Sequence, residues 1–235
     1  HSVGGWAALW AAFFIGPRIG RYIDGKPVKI LPHSFALATV GVILLWFGWF
    51  GFNGFSQLAM GTFDDVNAIN KIAVNTHLAG SAGVITGAVL TRLLGGKTDI
   101  IMMLNGALAG LVAITAEPLT PTPLLAILIG SIGSVIMYFG TKFLEKQKLD
   151  DVVGAIPVHM FAGIFGTLVV PMSNPETNFG TQFQGVISVC LFSFVLSYIL
   201  FKVMKKTIGI RISKEAEKLG TDKAEIGVLA YSIRD

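Results

Sequence analysis

Two histidines, His1 and His159, stand in stretches of chain that are otherwise apolar. An ionisable side chain is costly in such surroundings, and its presence there points to function. Two facing imidazoles could do three kinds of chemistry. They could ligate a metal, although no cysteine or carboxylate is spaced to act as a third ligand. They could act as general bases, although no nucleophile or paired acid accompanies them. They could also line a narrow path and hydrogen-bond a small polar solute. A neutral imidazole has one donor and one acceptor nitrogen, so a facing pair can share a single proton. That arrangement suits a small neutral solute and disfavours a naked cation. No reactive constellation marks an enzyme, and neither a cofactor nor a metal is expected.

The two histidines share a local pattern. One reads His1-Ser2-Val3-Gly4-Gly5 and the other His159-Met160-Phe161-Ala162-Gly163, with small residues at the third and fourth places after each histidine. The remaining histidines read more plainly. His33 follows Pro32 at a loop–helix junction, a surface position, and His77 lies near one end of an apolar segment, where an interhelical hydrogen bond or an interfacial position accounts for it. A run of aromatic residues extends from Trp46 through Trp49, Phe50, Phe52 and Asn53 to Phe55 and Ser56. It has two readings. One is a belt at a membrane interface; the other is a cation site in which ring faces attract an ammonium ion.

The elements that hold these residues are membrane spans. Of the 235 residues, 53% are apolar and 14% are charged, and the mean hydropathy is +0.69. Soluble domains carry nearer a quarter charged residues, so much of this apolar surface must face lipid. Seven apolar segments can be drawn: His1–Ile15, Ser34–Phe55, Ile72–Leu94, Ile100–Ala116, Leu124–Leu144, Ala155–Met172 and Phe183–Met204. Most approach the roughly 17–25 residues that a helix needs to cross a bilayer; the first is short. The chain has no initiator Met and opens inside an apolar segment, so it reads as a fragment or processed chain whose upstream part is missing.

Charge sets the orientation. The formal charge is +4, but the basic residues sit in short clusters between apolar runs, which argues for topology rather than nucleic-acid binding. Every Lys and Arg except Lys71 lies in alternate connections: Arg18 to Lys29, Arg92 to Lys97, Lys142 to Lys148, and from Lys202 to Arg234. The other connections carry Lys71 with Asp64, Asp65, Glu117 and Glu176. The basic side is expected to be cytoplasmic. The first helix then runs inward and the sixth outward, so the two histidine motifs point in opposite directions, as an inverted repeat would leave them.

Smaller features fit this frame. Gly83-x-x-x-Gly87 and Gly106-x-x-x-Gly110 let helix backbones approach closely or clear space for a conduit. Cys190 reads as a small core or lipid-facing residue. Residues 1–208 form a transmembrane domain and 209–235 a tail with a helical stretch at Lys214–Leu219. That tail is either solvated or a docking element for a cytoplasmic partner.

Taken together, these residues resemble the ammonium transporter (Amt/Rh) family. The likeness rests on Pro32-His33, Gly48-Trp49-Phe50-Gly51-Phe52-Asn53, Asn75-Thr76, Gly106 through Gly110-Leu111-Val112, Asp150-Asp151 through Val158-His159, Gly209-Ile210-Arg211, and Gly227 to Tyr231. The resemblance implies an all-α polytopic membrane protein of eleven spans, built as a five-plus-five inverted repeat with a closing helix. This chain looks like spans five to eleven. His1 and His159 fall on the twin histidines of the family's pore. Trp49 and Phe52 fall on positions near that pair and the outer gate, and Ser56 on a vestibule position that contacts the cation. The family forms homotrimers in the plasma membrane with a cytoplasmic C-terminus; ammonium loses a proton at the outer vestibule, and ammonia crosses along the histidines. Spans one to four, an upstream aspartate and other vestibule aromatics are missing here, so the chain by itself should not close a pore. Ile226-Gly227-Val228-Leu229 replaces a His-Gly pair in the tail that, in the family, meets a PII regulator or couples subunits. His1 through Trp6 and Gly16 through Arg21 look like those of members fused to signalling domains, which would make the domain an ammonium sensor.

Overall fold

Each long helix begins on a polar side chain that satisfies the free amide groups of its first turn. The computed structural model describes residues 1–230; Tyr231 and Arg234 lie outside the described residues. Helix α1 (Ser2–Ile15) is followed by a two-residue hairpin pairing Tyr22–Ile23 with Lys26–Pro27. Ser34 caps α2 (Phe35–Phe55) by accepting from Leu37 N. Thr62 and Asp65 form a reciprocal capping box at the start of α3 (Phe63–Gly95), and Gly96 closes that helix in the left-handed region at φ 74°. Asp99 caps α4 (Ile100–Thr115), and Thr122 with Pro123 opens α5 (Pro123–Lys146). A π-helical turn (Ile156–Phe161) then runs into α6 (Ala162–Leu168) and a single 3-10 turn, Val170–Met172. Asn178 caps α7 (Phe179–Thr207), and the short α8 (Lys214–Leu219) lies in the tail.

Helices α2, α3, α5 and α7 are long and apolar enough to cross a membrane. Helix α4 is shorter, at 16 residues, but it is the most enclosed: Ala107, Ala109, Leu111, Val112, Ala113 and Ile114 are all buried. It is wedged between α3 and α5. The outward faces of α2 and α7 expose Leu44, Phe47, Leu191 and Phe192, the surface expected to meet lipid or other protein within the membrane.

Glycine lets α3, α4 and α5 touch backbone to backbone. A Cβ at Gly106 would lie 2.5 Å from the Gly83 carbonyl oxygen and 2.8 Å from Ser134 Oγ. Gly87 faces Met102 and Met103, and Gly110 faces Ala79 and Gly80. As numbers rise on α3 they fall on α4, so the two helices cross antiparallel, and both glycine motifs serve packing. Ser134 Oγ donates to the Gly83 carbonyl at 2.9 Å and ties α5 into the crossing.

The basic connections gather at one end of the bundle. Arg18 donates through Nε and Nη2 to Asp150 at 2.8 and 2.9 Å, and Arg21 reaches Asp150 at 3.2 Å and Glu145 at 3.0 Å. Lys29 pairs with Asp99. At the opposite end, Asn174 donates to Glu117 at 2.8 Å and Thr120 meets Ser173 at 2.9 Å. The alternation of the charge pattern is thus a real separation in space.

Burial pushes the Asp150 carboxyl upward in pKa, but the hydrogen bonds from Arg18 and the charges of Arg18 and Arg21 outweigh it and hold the group below its ordinary range. A depressed carboxylate stabilises the fold above the pKa it has when unfolded, about 3.9. That contribution is lost as pH falls through the lower folded value. The melting temperature of the purified full-length protein should therefore drop below about pH 4, and the Asp150→Asn form should lose part of that dependence.

Candidate functional site

His1 is the residue before the first turn of α1, and His159 lies in the middle of the π-helical turn. The Asp151 carboxylate organises that turn. Its Oδ1 accepts from Gly154 N and Ala155 N, both at 3.0 Å, and its Oδ2 accepts from Ile156 N at 2.7 Å. Burial pushes the Asp151 carboxyl up despite the pull of these amide donors. Pro157 has no amide hydrogen to donate. The Ala162 amide donates to the Pro157 carbonyl, the wider spacing of a π-turn, a distortion found frequently at functional sites.

The two histidine-bearing segments cross antiparallel through their shared pattern. Gly5, four residues after His1, packs so closely on Met160 that a Cβ would lie 2.5 Å from its backbone nitrogen. Gly163, four residues after His159, packs on His1 and Ser2, with a Cβ position 3.2 Å from His1 Cβ. Each glycine lets the opposite histidine segment approach, a reciprocal contact of the kind a two-fold axis generates.

This crossing brings the imidazoles together. Nδ1 of His159 and Nδ1 of His1 are 3.3 Å apart, so one ring carries the proton and the other accepts it. The rings are 5.4 Å apart between centroids and inclined by 27°. His1 is also stacked on Trp49, at 5.2 Å and 19°. Phe52 lies 5.9 Å from His1 and meets Trp49 edge-on at 6.2 Å. Trp49 is buried, so the interfacial-belt reading does not hold for it. Its Nε1 donates to Thr115 Oγ1 at 2.8 Å, and Thr115 in turn donates to the Leu111 carbonyl at 2.6 Å. Helix α4 thereby fixes the indole that supports His1.

Four of the five sequence-derived residues are therefore in one aromatic and imidazole cluster. Ser56 is not among them. It caps the C-terminal end of α2, donates to the Phe52 carbonyl at 2.7 Å, and lies on an open groove of about 470 Å³ shared with Phe52 and Phe55. Next to the cluster, Asn53 donates to Thr76 at 2.9 Å with both residues buried. His77 stands apart, exposed, with its ring against Trp46 and Phe50. His33 is at the junction before the Ser34 cap.

Sequence reasoning missed Thr115 and the role of Asp151 in holding the π-turn. The signal for Asp151 was present, since an aspartate three residues before a glycine often gathers the amides of a turn. Thr115 gave no local signal, because it meets Trp49 across 66 residues of chain. Among the described residues no group of three metal-ligating side chains forms.

Comparison with known proteins places the fold. The family model described as Ammonium Transporter Family matches residues 1–231. The ammonium transporter Amt2 of Archaeoglobus fulgidus is 41% identical over 252 residues, covering 98% of this chain and 53% of the relative. The ammonium transporter Amt2 of Methanocaldococcus jannaschii is 36% identical, covering 98% of this chain and 54% of the relative. A solved structure named Sensor Amt Protein is similar with a TM-score of 0.89 at 36% identity, over 96% of this chain and 57% of that one. Mep2 of Candida albicans gives 0.81 at 26% identity, over 97% and 54%. The chain spans about half the length of the curated relatives it matches. On this match along nearly its whole length, the chain belongs to the ammonium transporter family.

Proposed function

We propose that this chain supplies the second part of an ammonium/ammonia channel-transporter, conducting through a hydrophobic pore that the paired imidazoles of His1 and His159 line. The observation that carries the reading is the 3.3 Å approach of the two rings against Trp49 and Phe52. A charged ammonium ion would be poorly solvated among apolar helices, whereas neutral ammonia can donate to and accept from an imidazole pair. Trp49 and Phe52 form the gate above the pair. Ser56, on the groove beyond, contacts the cation before it loses its proton. Residues 1–208 are the transmembrane domain and 209–235 the tail. The complete protein is a homotrimer in the plasma membrane; the clustering of Lys and Arg in alternate connections supports a cytoplasmic C-terminus.

A second reading, an ammonium sensor, draws on two observations. One is the similarity to the structure named Sensor Amt Protein. The other is the seating of the tail and the end of α7 on the last turn of α1 and the connection that follows it. Arg211 Nη1 donates to the Ile15 carbonyl at 3.0 Å, Lys205 to the Phe14 carbonyl at 3.0 Å, and Glu217 accepts from Ile19 N at 2.7 Å. The Ile19 amide and Arg211 hold the Glu217 carboxyl below its usual range. A shift of α1 at its histidine end would reach these contacts, and through them a PII-type regulator or a fused signalling domain.

Reconstitution of the full-length protein in vesicles separates the two. A transporter gives ammonium flux above protein-free vesicles. A correctly inserted protein without flux overturns the transport reading, and an ammonium-dependent change in the tail would then support the sensor.

A further inference from the structure

The segment that carries His159 is tied at both ends to α4 or to the residues just past it. At the basic end of the bundle, Asn105 of α4 donates through Nδ2 to the Val153 carbonyl at 3.0 Å. Val153 lies in the loop whose amides Asp151 gathers, shortly before His159. Gly154 follows in the left-handed region at φ 79°, and a Cβ there would lie 2.5 Å from Asn105 Nδ2. The Asn105 amide therefore sits directly over the turn that opens the π-helix. At the opposite end, just past α4, Glu117 divides its two oxygens. Oε1 accepts from Leu119 N at 3.1 Å and Thr120 N at 3.2 Å, and Oε2 accepts from Asn174 Nδ2 at 2.8 Å. The Asn174 amide in turn donates to the Val170 carbonyl at 3.0 Å, in the last turn of the His159 segment.

Between these two attachments the segment meets α4 through glycine. Gly163 lies against Val112, and a Cβ at Gly166 would lie 2.4 Å from the Ala113 carbonyl oxygen. Glycine lets the backbones approach, but it presents no side chain at these two positions to resist sliding along the axis. Axial register matters here. A slide of one residue, about 1.5 Å, would carry the His159 ring out of reach of His1, because their 3.3 Å separation is already at the long end of hydrogen bonding. Through Thr115, α4 also fixes the Trp49 indole on which His1 stacks. Both imidazoles are thus referred to one helix. We propose that Asn105 and Glu117 are positioning residues for conduction, a role that rests on the imidazole pair being the conducting site: they clamp the two ends of the His159 segment and set the distance at which the rings share a proton.

The test uses the full-length protein with isotope-labelled histidine in vesicles, reading the imidazole-nitrogen magnetic resonance spectrum and ammonium flux. The shared-proton signal is the one that disappears in His159→Leu. Asn105→Leu keeps bulk over Gly154 and removes the donor. Glu117→Gln leaves the loop amides an acceptor and removes the charged oxygen that receives Asn174. Thr122→Ala, which removes the cap of α5, is the control for a comparable loss of stability. Each clamp variant should lower the ratio of shared to unshared signal about fivefold, the weight of one hydrogen bond, and reduce flux with it. Thr122→Ala should lower the melting temperature and change neither. A wild-type ratio in both clamp variants, an equal fall in Thr122→Ala, or no shared-proton signal in the wild-type protein would overturn the proposal. Should the wild-type protein show the signal and no flux, the transport reading fails, and the proposal of a role in conduction is overturned with it.

Discussion

A His159→Leu form of the full-length protein should insert and fold normally yet lose ammonium conduction, or ammonium response, by roughly 10- to 100-fold, the equivalent of one buried hydrogen bond to a charged or strongly polar partner. Leucine fills a similar volume, so Gly5, Met160 and the π-turn held by Asp151 need not move. What disappears is the partner 3.3 Å from His1 Nδ1. The His1 ring keeps its stacking on Trp49, so the site retains its shape and loses its shared proton. Paired measurements of flux and melting temperature check this. Unchanged flux in the variant would reduce the pair to a packing contact.

The second large effect is structural. Gly106→Leu should severely destabilise the folded protein, because the backbone of α3 already occupies the space. The first side-chain carbon would lie 2.5 Å from the Gly83 carbonyl oxygen and 2.8 Å from Ser134 Oγ. The helices must separate, which strains the core around Leu111 and Val112 and breaks the Ser134–Gly83 hydrogen bond. Overpacking alone costs about 1–3 kcal/mol, and the lost hydrogen bond adds roughly 1 kcal/mol. Gly41→Leu is the matched control, since nothing in this chain lies within 4 Å of its Cβ position. Size-exclusion profiles should show aggregated Gly106→Leu and well-behaved Gly41→Leu. Equal behaviour of the two would contradict the packing account.

Much of this architecture was legible because lipid imposes a simple code. Apolar length marked the spans, and alternating charge marked which ends meet, as the Arg18–Asp150 and Lys29–Asp99 pairs bear out. The limits of that code are also physical. Asp64, Asp65 and Lys71 read as loop charges, yet α3 begins at Phe63, because Asp65 completes the Thr62 capping box and helices extend past the bilayer. The segment from Ala155 to Met172 reads as one helix and runs as one from Ile156 to Met172, but periodicity does not register the π-turn at its start, where Asp151 gathers the amides and Pro157 donates none. The matching His-x-x-x-Gly patterns were visible, and their opposite directions followed from the charges. That each glycine would cradle the other histidine's segment was not visible, because it depends on a crossing between residues more than 150 positions apart. Trp49 stands out in the aromatic run from Trp46 to Phe55, while the hydrogen bond that fixes its indole comes from Thr115, far along the chain.

The most direct measurement of the central claim is the response of vesicles containing the full-length protein to a sudden ammonium gradient. The proposed pore predicts ammonium-driven flux, well above that of protein-free vesicles and strongly reduced by His159→Leu. Absence of flux from correctly inserted wild-type protein would contradict the proposed pore.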